Sequence, residues 1–251
     1  MTRATRSSSS RLQIQQNAIG LTFSLNSSND FINLLDLNLR APKNIQPKLQ
    51  LVLVDTTDLD VQKEDHPDTG LRAAKCVWDA KLIELQSDGK STSGFVPKDE
   101  SLWKPIVVKL ARGEDARARL LREFDIYACH LKNFQGLIVP KCHGIYGNAP
   151  RRKDRMLTCL LLDKCPPLEV PDEEKKLFRT ARREAIKLLV SEGIVHGNIT
   201  NPDHCLPMKD KKGAYGVYMV SFSNAIIINP EVLQIYGRAT KPEEDQSMAT
   251  D

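Results

Sequence analysis

Two ionisable side chains stand where neighbouring elements could bring them together. Lys109 lies in the apolar run Ile106-Val-Val-Lys-Leu110, which reads as a strand. Glu123 follows in the clearest predicted helix, Asp115–Asn133, where Leu120, Phe124, Tyr127 and Leu131 recur at helical spacing. At about 100° per residue, Glu123 falls roughly 60–80° from the centre of that apolar stripe. A carboxylate at the edge of a packed face can reach past it to a group on the adjacent sheet. The six cysteines are scattered without a C-x-x-C pair, and Cys142–His143 and His204–Cys205 read as chance neighbours, not metal ligands.

The elements that must position these groups alternate in character along the chain. Leu49–Val54, Ala74–Leu85 and Ile106–Leu110 read as strands joined by polar loops, the pattern of an antiparallel sheet. Phe31–Leu39 fits neither the helical nor the strand period cleanly. Asp55–Thr69 is acidic and aperiodic, hence a loop or insertion. A second helix begins near Pro171-Asp172, with Glu173 and Glu174 at its positive end and Gly193 beyond its last turn. Its buried face is expected to comprise Leu177, Ala181, Ala185, Leu188 and Leu189. Short apolar runs follow at Tyr215–Val220 and Ala225–Ile228.

Composition narrows the class. Hydrophobic residues make up 41% of the 251, enough for a sizeable core, and 36 basic residues against 32 acidic ones leave a net charge of only +4. So small an excess does not point to nucleic acid, and no apolar run approaches the roughly 18 residues needed to cross a bilayer. Cysteine usage suits a reducing compartment, cytoplasmic or nuclear. Residues 1–30 read as a disordered tail, with Arg3, Arg6 and Arg11 around Ser7–Ser10; the lack of acids from Met1 to Asn29 would also suit a mitochondrial address. A second disordered tail is expected over 238–251.

The order of these landmarks resembles the eukaryotic protein-kinase domain, in particular the divergent kinase-like domains common in fungi. Ile106-Val-Val-Lys-Leu110 resembles the Val-Ala-Ile-Lys strand, and Arg122-Glu-Phe-Asp-Ile-Tyr127 resembles helix C, with Glu123 as partner of Lys109. Leu160-Leu-Leu-Asp163 stands where the hinge should lie. Gly193-Ile-Val-His-Gly-Asn198 resembles the His-Arg-Asp or His-Gly-Asp loop, and Val220-Ser-Phe-Ser223 resembles Asp-Phe-Gly. The resemblance implies an α+β, two-lobe fold: an antiparallel sheet lobe with helix C over 31–162, and a shortened, mainly helical lobe over 163–237. It implies nucleotide contacts from Lys109, Glu123, Leu162 and Asp163, and ATP as the ligand.

The same comparison implies impaired chemistry. The catalytic aspartate is replaced by Asn198, the metal-binding asparagine by Asp203 and the metal-chelating aspartate by Ser221, so Mg²⁺ would be poorly held. No G-x-G-x-x-G precedes the lysine strand, since Gly70 is the only glycine between Leu49 and Leu85. The residues after Ser223 are too few for an Ala-Pro-Glu segment and a large helical subdomain, which implies truncation on the C-terminal side. The expected function is a pseudokinase: a binding or scaffold module with a protein partner and weak ATP binding. The alternatives are residual protein-kinase or small-molecule phosphotransferase activity of the aminoglycoside- or choline-kinase kind, and a basic interaction protein with no nucleotide role. Basic stretches at Arg151–Arg155 and Lys175–Lys187 motivate the last, though nucleic acid is not the expected partner.

Overall fold

The computed structural model describes residues 12–13, 18–22, 32–37, 50–54, 77–87, 93–148, 156–166, 168–210 and 212–228. The Arg3–Arg11 basic start, the Asp55–Thr69 loop, Arg151–Arg155 and the 238–251 tail lie outside them. The chain divides into two compact units, Met1–Ala128 with Pro140–Lys164, and Cys129–Val139 with Cys165–Asp251.

The first unit contains ten strands: β1 (Leu12–Gln13), β2 (Ala18–Thr22), β3 (Ile32–Asp36), β4 (Gln50–Val54), β5 (Val77–Glu84), β6 (Gln86–Ser87), β7 (Ser93–Phe95), β8 (Lys104–Arg112), β9 (Cys142–Gly147) and β10 (Leu157–Asp163). Seven of them close a barrel in the order β10-β8-β5-β4-β2-β3-β9. All neighbours are antiparallel except β2 and β4, which run parallel from Ile19↔Gln50 to Thr22↔Leu53. The barrel fills itself by strand alternation. Ile19 and Leu21, Leu34, Val52 and Val54, Ala80 and Leu82, Ile106 and Val108, and Cys159 and Leu161 point inward as one buried cluster. On β8 and β10 the intervening residues, such as Lys109 and Leu160, point outward.

This closure corrects the expected fold class. A two-lobe kinase-like arrangement, with an open antiparallel sheet and a mainly helical second lobe, does not form. β2 lies in the stretch read as a tail and β3 in the stretch that fitted neither period; together they bridge β4 to β9 and leave the sheet no open edge. Among the described residues there are only two α-helices, one in each unit.

The first helix, α1 (Glu114–Asp125), starts after Gly113, whose φ of 86° is open to glycine, and Glu114 and Asp115 place negative charge at its positive end. It continues as a π turn over Ile126–His130, so the single helix expected to Asn133 ends in two steps, the last a 3₁₀ turn at Lys132–Phe134. Leu120, Phe124, Tyr127 and Leu131 are all buried, as their spacing predicts. α1 packs across the outer faces of β8, β9 and β10.

In the second unit, α2 (Lys175–Ser191) follows a 3₁₀ turn at Asp172–Glu174 and packs on β11 (Ile194–Val195) and β13 (Tyr215–Met219). β13 pairs with β12 (Cys205–Lys209), and β11 pairs with β14 (Ile226–Ile227). Ala185 and Leu189 are buried, but Leu177 is 59% and Leu188 43% exposed, so the helix presents a narrower apolar face than its sequence suggested. Beyond the N-terminus of α2, Glu174 accepts from the Lys209 ammonium at 2.9 Å and from the Tyr215 hydroxyl, fastening the helix to the β12–β13 hairpin.

Candidate functional sites

In the first unit, β8 alternates Ile106 and Val108 into the barrel and leaves Lys109 on the outer face. Residues directly opposite across a ladder share a face, so Leu160 of β10, which pairs with Lys109, stands beside it. Two residues on, Leu162 occupies the same face and is 2% exposed. α1 covers this surface and lowers Glu123 onto it. The Lys109 Nζ donates to Glu123 Oε1 at 2.6 Å, with side-chain exposures of 12% and 4%. Such a charge-assisted bond is short and directional, and it fixes a lysine stem that would otherwise sample many rotamers. Cys142 of β9 pairs with Leu162 and lies in reach of the same carboxylate. Burial pushes its thiol up to about 12, and the Glu123 charge adds to the rise, so it stays protonated and unreactive at neutral pH.

A second cluster lies at the C-terminal end of β10. Asp163 Oδ1 receives Lys104 Nζ at 2.7 Å and His143 Nε2 at 2.6 Å. Burial alone would raise the Asp163 carboxyl, but hydrogen bonds and charge from His143 and Lys104 hold it below the ordinary carboxylate range. For His143 burial prevails over the nearby carboxylate and lowers the imidazole, which keeps it neutral near pH 7. The geometry then assigns the Nε2–H tautomer, donating to Asp163; Lys104, 3.1 Å from that nitrogen, donates to the carboxylate instead. The Asp163 amide donates to Lys141 O at 2.9 Å. The two residues expected at the hinge are therefore engaged within the barrel wall, Leu162 by packing and Asp163 by three polar contacts.

In the second unit, His196 is 5% exposed and central to a small polar network. Its Nδ1 accepts from the Asn198 amide N–H at 3.4 Å, which leaves Nε2–H to donate to Val220 O at 2.8 Å. The ring meets Phe222 at 4.6 Å between centroids with the planes tilted by 55°. His204 donates from Nδ1 to Asn198 O at 3.1 Å. Gly197 between them has φ 79°, and a Cβ there would lie 2.1 Å from the Asn224 carbonyl oxygen, so only glycine fits. Ser221 has φ 68° and is the only non-glycine with positive φ among the described residues. Asn198 is thus placed through its backbone. Asp203 is exposed in the 3₁₀ turn Pro202–His204, where Asn201 Oδ1 accepts its amide N–H at 3.0 Å.

The predicted residues are brought together unevenly. Lys109 and Glu123 meet, while Asn198 joins His196 and the loop before β12. No three His, Cys, Asp or Glu side chains that could hold a metal ion cluster among the described residues. Asp203 therefore belongs to no such cluster, and the Ser221 hydroxyl is a weak cation ligand, so no chemical step is routed through a metal. The Lys104–His143–Asp163 cluster had no local signal, because its members lie on three strands 20 and 39 residues apart. No helix among the described residues is long and apolar enough to cross a membrane. No family model matches the chain, and no curated protein matches it.

Proposed function

We propose that the chain is a binding module without phosphoryl-transfer activity, in which Lys109, held by Glu123, offers its ammonium to the phosphates of a nucleotide. The observation that carries this reading is the 2.6 Å Lys109–Glu123 bond, formed across an element boundary by the two residues that nucleotide anchoring calls for. The bond to a buried glutamate holds the lysine stem in one place, which suits a point-charge phosphate contact. The kinase resemblance of the sequence implies a carboxylate base where Asn198 has an amide and a metal-binding carboxylate where Ser221 has a hydroxyl, which supports the absence of transfer. A nucleotide would then bind without firmly ligated Mg²⁺ and would not be turned over. The output of such a module is a change in affinity for a protein partner.

The test is a thermal shift with ATP, with and without Mg²⁺, beside an assay for phosphate transfer. Stabilisation by ATP that is indifferent to Mg²⁺ and lost in the Lys109→Met/Glu123→Leu protein is expected; at 100 times the Kd it amounts to about 2.7 kcal/mol. Phosphate transfer abolished by Lys109→Met would overturn the non-catalytic reading, and no shift at millimolar ATP would overturn the nucleotide.

A further inference from the structure

We infer that α2 carries a docking surface for an acidic segment of a partner protein. The helix holds six basic residues and a single acid, Glu184. Arg182 turns inward and donates to Ile199 O. The other five, Lys175, Lys176, Arg179, Arg183 and Lys187, are exposed and fall within about 120° of one another around the axis at 100° per residue. They form a cationic strip about 18 Å long from Lys175 to Lys187, away from the buried side made by Ala185 and Leu189. Lys175 is answered by Asp172 and Lys187 by Glu184, so among the described residues the middle of the strip, Lys176, Arg179 and Arg183, carries the uncompensated charge.

This arrangement is costly to the helix itself. Lys175–Arg179, Arg179–Arg183 and Arg183–Lys187 are successive like-charge pairs at i,i+4, each destabilising. Lys175 and Lys176 also stand in the first turn, where the helix dipole disfavours cations. Anions from outside would relieve both costs. Cations four residues apart repeat about every 6 Å, which matches carboxylates at i,i+4 of an acidic helix or on alternate residues of an extended strand. No aromatic side chain stands on the strip to stack on nucleic-acid bases. Of the exposed apolar residues of the helix, Leu177 and Leu188 lie to one side of the strip, between it and the buried face, and Val190 continues the strip's own line beyond Lys187, so the helix does not present lipid with a continuous apolar face flanked by cations.

The experiment measures binding of a fluorescent peptide with glutamates at i,i+4 to the full chain at low and high salt. A duplex oligonucleotide and vesicles of phosphatidylcholine with phosphatidylserine are run alongside. The peptide should bind and be released by salt. Arg179→Glu/Arg183→Glu should weaken it by at least about tenfold, two exposed attractions turned to repulsions. Lys98→Glu, an exposed reversal elsewhere, should leave it unchanged. Circular dichroism and a thermal melt establish that each variant is folded. Absence of peptide binding, equal loss in both variants, or tighter binding of the oligonucleotide or the vesicles would each overturn the inference.

Discussion

Glu123 keeps only 4% of its side chain exposed while its charge is answered by Lys109 at 2.6 Å, and this burial sets the cost of separating them. Lys109→Met strands a carboxylate away from water and should destabilise the protein by about 3–5 kcal/mol in urea denaturation. Pairing that change with Glu123→Leu removes the stranded charge and should restore most of the loss, which separates the structural from the ligand-binding use of the pair. His143 makes a prediction in pH. Folding lowers its imidazole from the ordinary 6.5, so below that value the unfolded chain binds the proton more readily. Its contribution is therefore complete above about pH 6.5 and is lost as the pH falls through the lower folded value. Asp163 is also lowered, but from 3.8, so its contribution holds until far more acid pH. Between about pH 7.5 and 5.5 wild type should lose more stability than His143→Gln, as denaturation at the two pH values would register. Gly197→Ala should be among the most damaging single changes in the second unit, since the methyl would drive into the Asn224 carbonyl; a fall in melting temperature would report it.

At the scale of elements, α2 separates helical propensity from burial. Leu188 and Leu189 are neighbours of the same type, yet one is 43% exposed and the other 1%. Leu189→Ala should cost about 2–5 kcal/mol and Leu188→Ala well under 1, read from paired urea titrations. The sequence reading placed both in the core because five apolar positions can be drawn as one broad stripe, and only the narrow line against β11 and β13 is covered. α1 was easier to read. Leu120, Phe124, Tyr127 and Leu131 leave one packing direction open, and Glu123 at the margin of that stripe could be matched to a lysine on the nearest strand. The Lys109–Glu123 pair was legible through the resemblance of its two segments to a kinase lysine strand and helix C, with the marginal position of Glu123 on the stripe agreeing with it. The Lys104–His143–Asp163 cluster was not, because it is assembled by ladder register, which no local spacing encodes.

For the whole molecule the decisive feature is closure. β2 is five residues long with Gly20 at its centre, and it pairs in parallel with β4, so neither its length nor its neighbours announce it. Long apolar strands such as β8 and β10 could be read from composition, whereas the barrel depends on β2 and β3, whose value lies in what they join. Removing residues through Thr22 should therefore do more than shorten the chain. It would bare the edges of β3 and β4, and the truncated protein should bind a hydrophobic dye and aggregate where the full chain does not. Retention of a monodisperse, dye-silent protein would show that the barrel does not need its first strand.

The β3–β9 seam also has a meaning in time. Leu35 pairs with Gly147, a separation of 147 − 35 = 112 residues. A ribosome adding about 5–20 residues per second needs on the order of ten seconds to supply the second partner after the first. For that interval β4 is already covered by β5, but β3 remains an open margin of the growing sheet. The barrel can shut only after β9 has sealed β3 and β10 has joined β9 to β8, so closure ties one of the earliest strands to the latest.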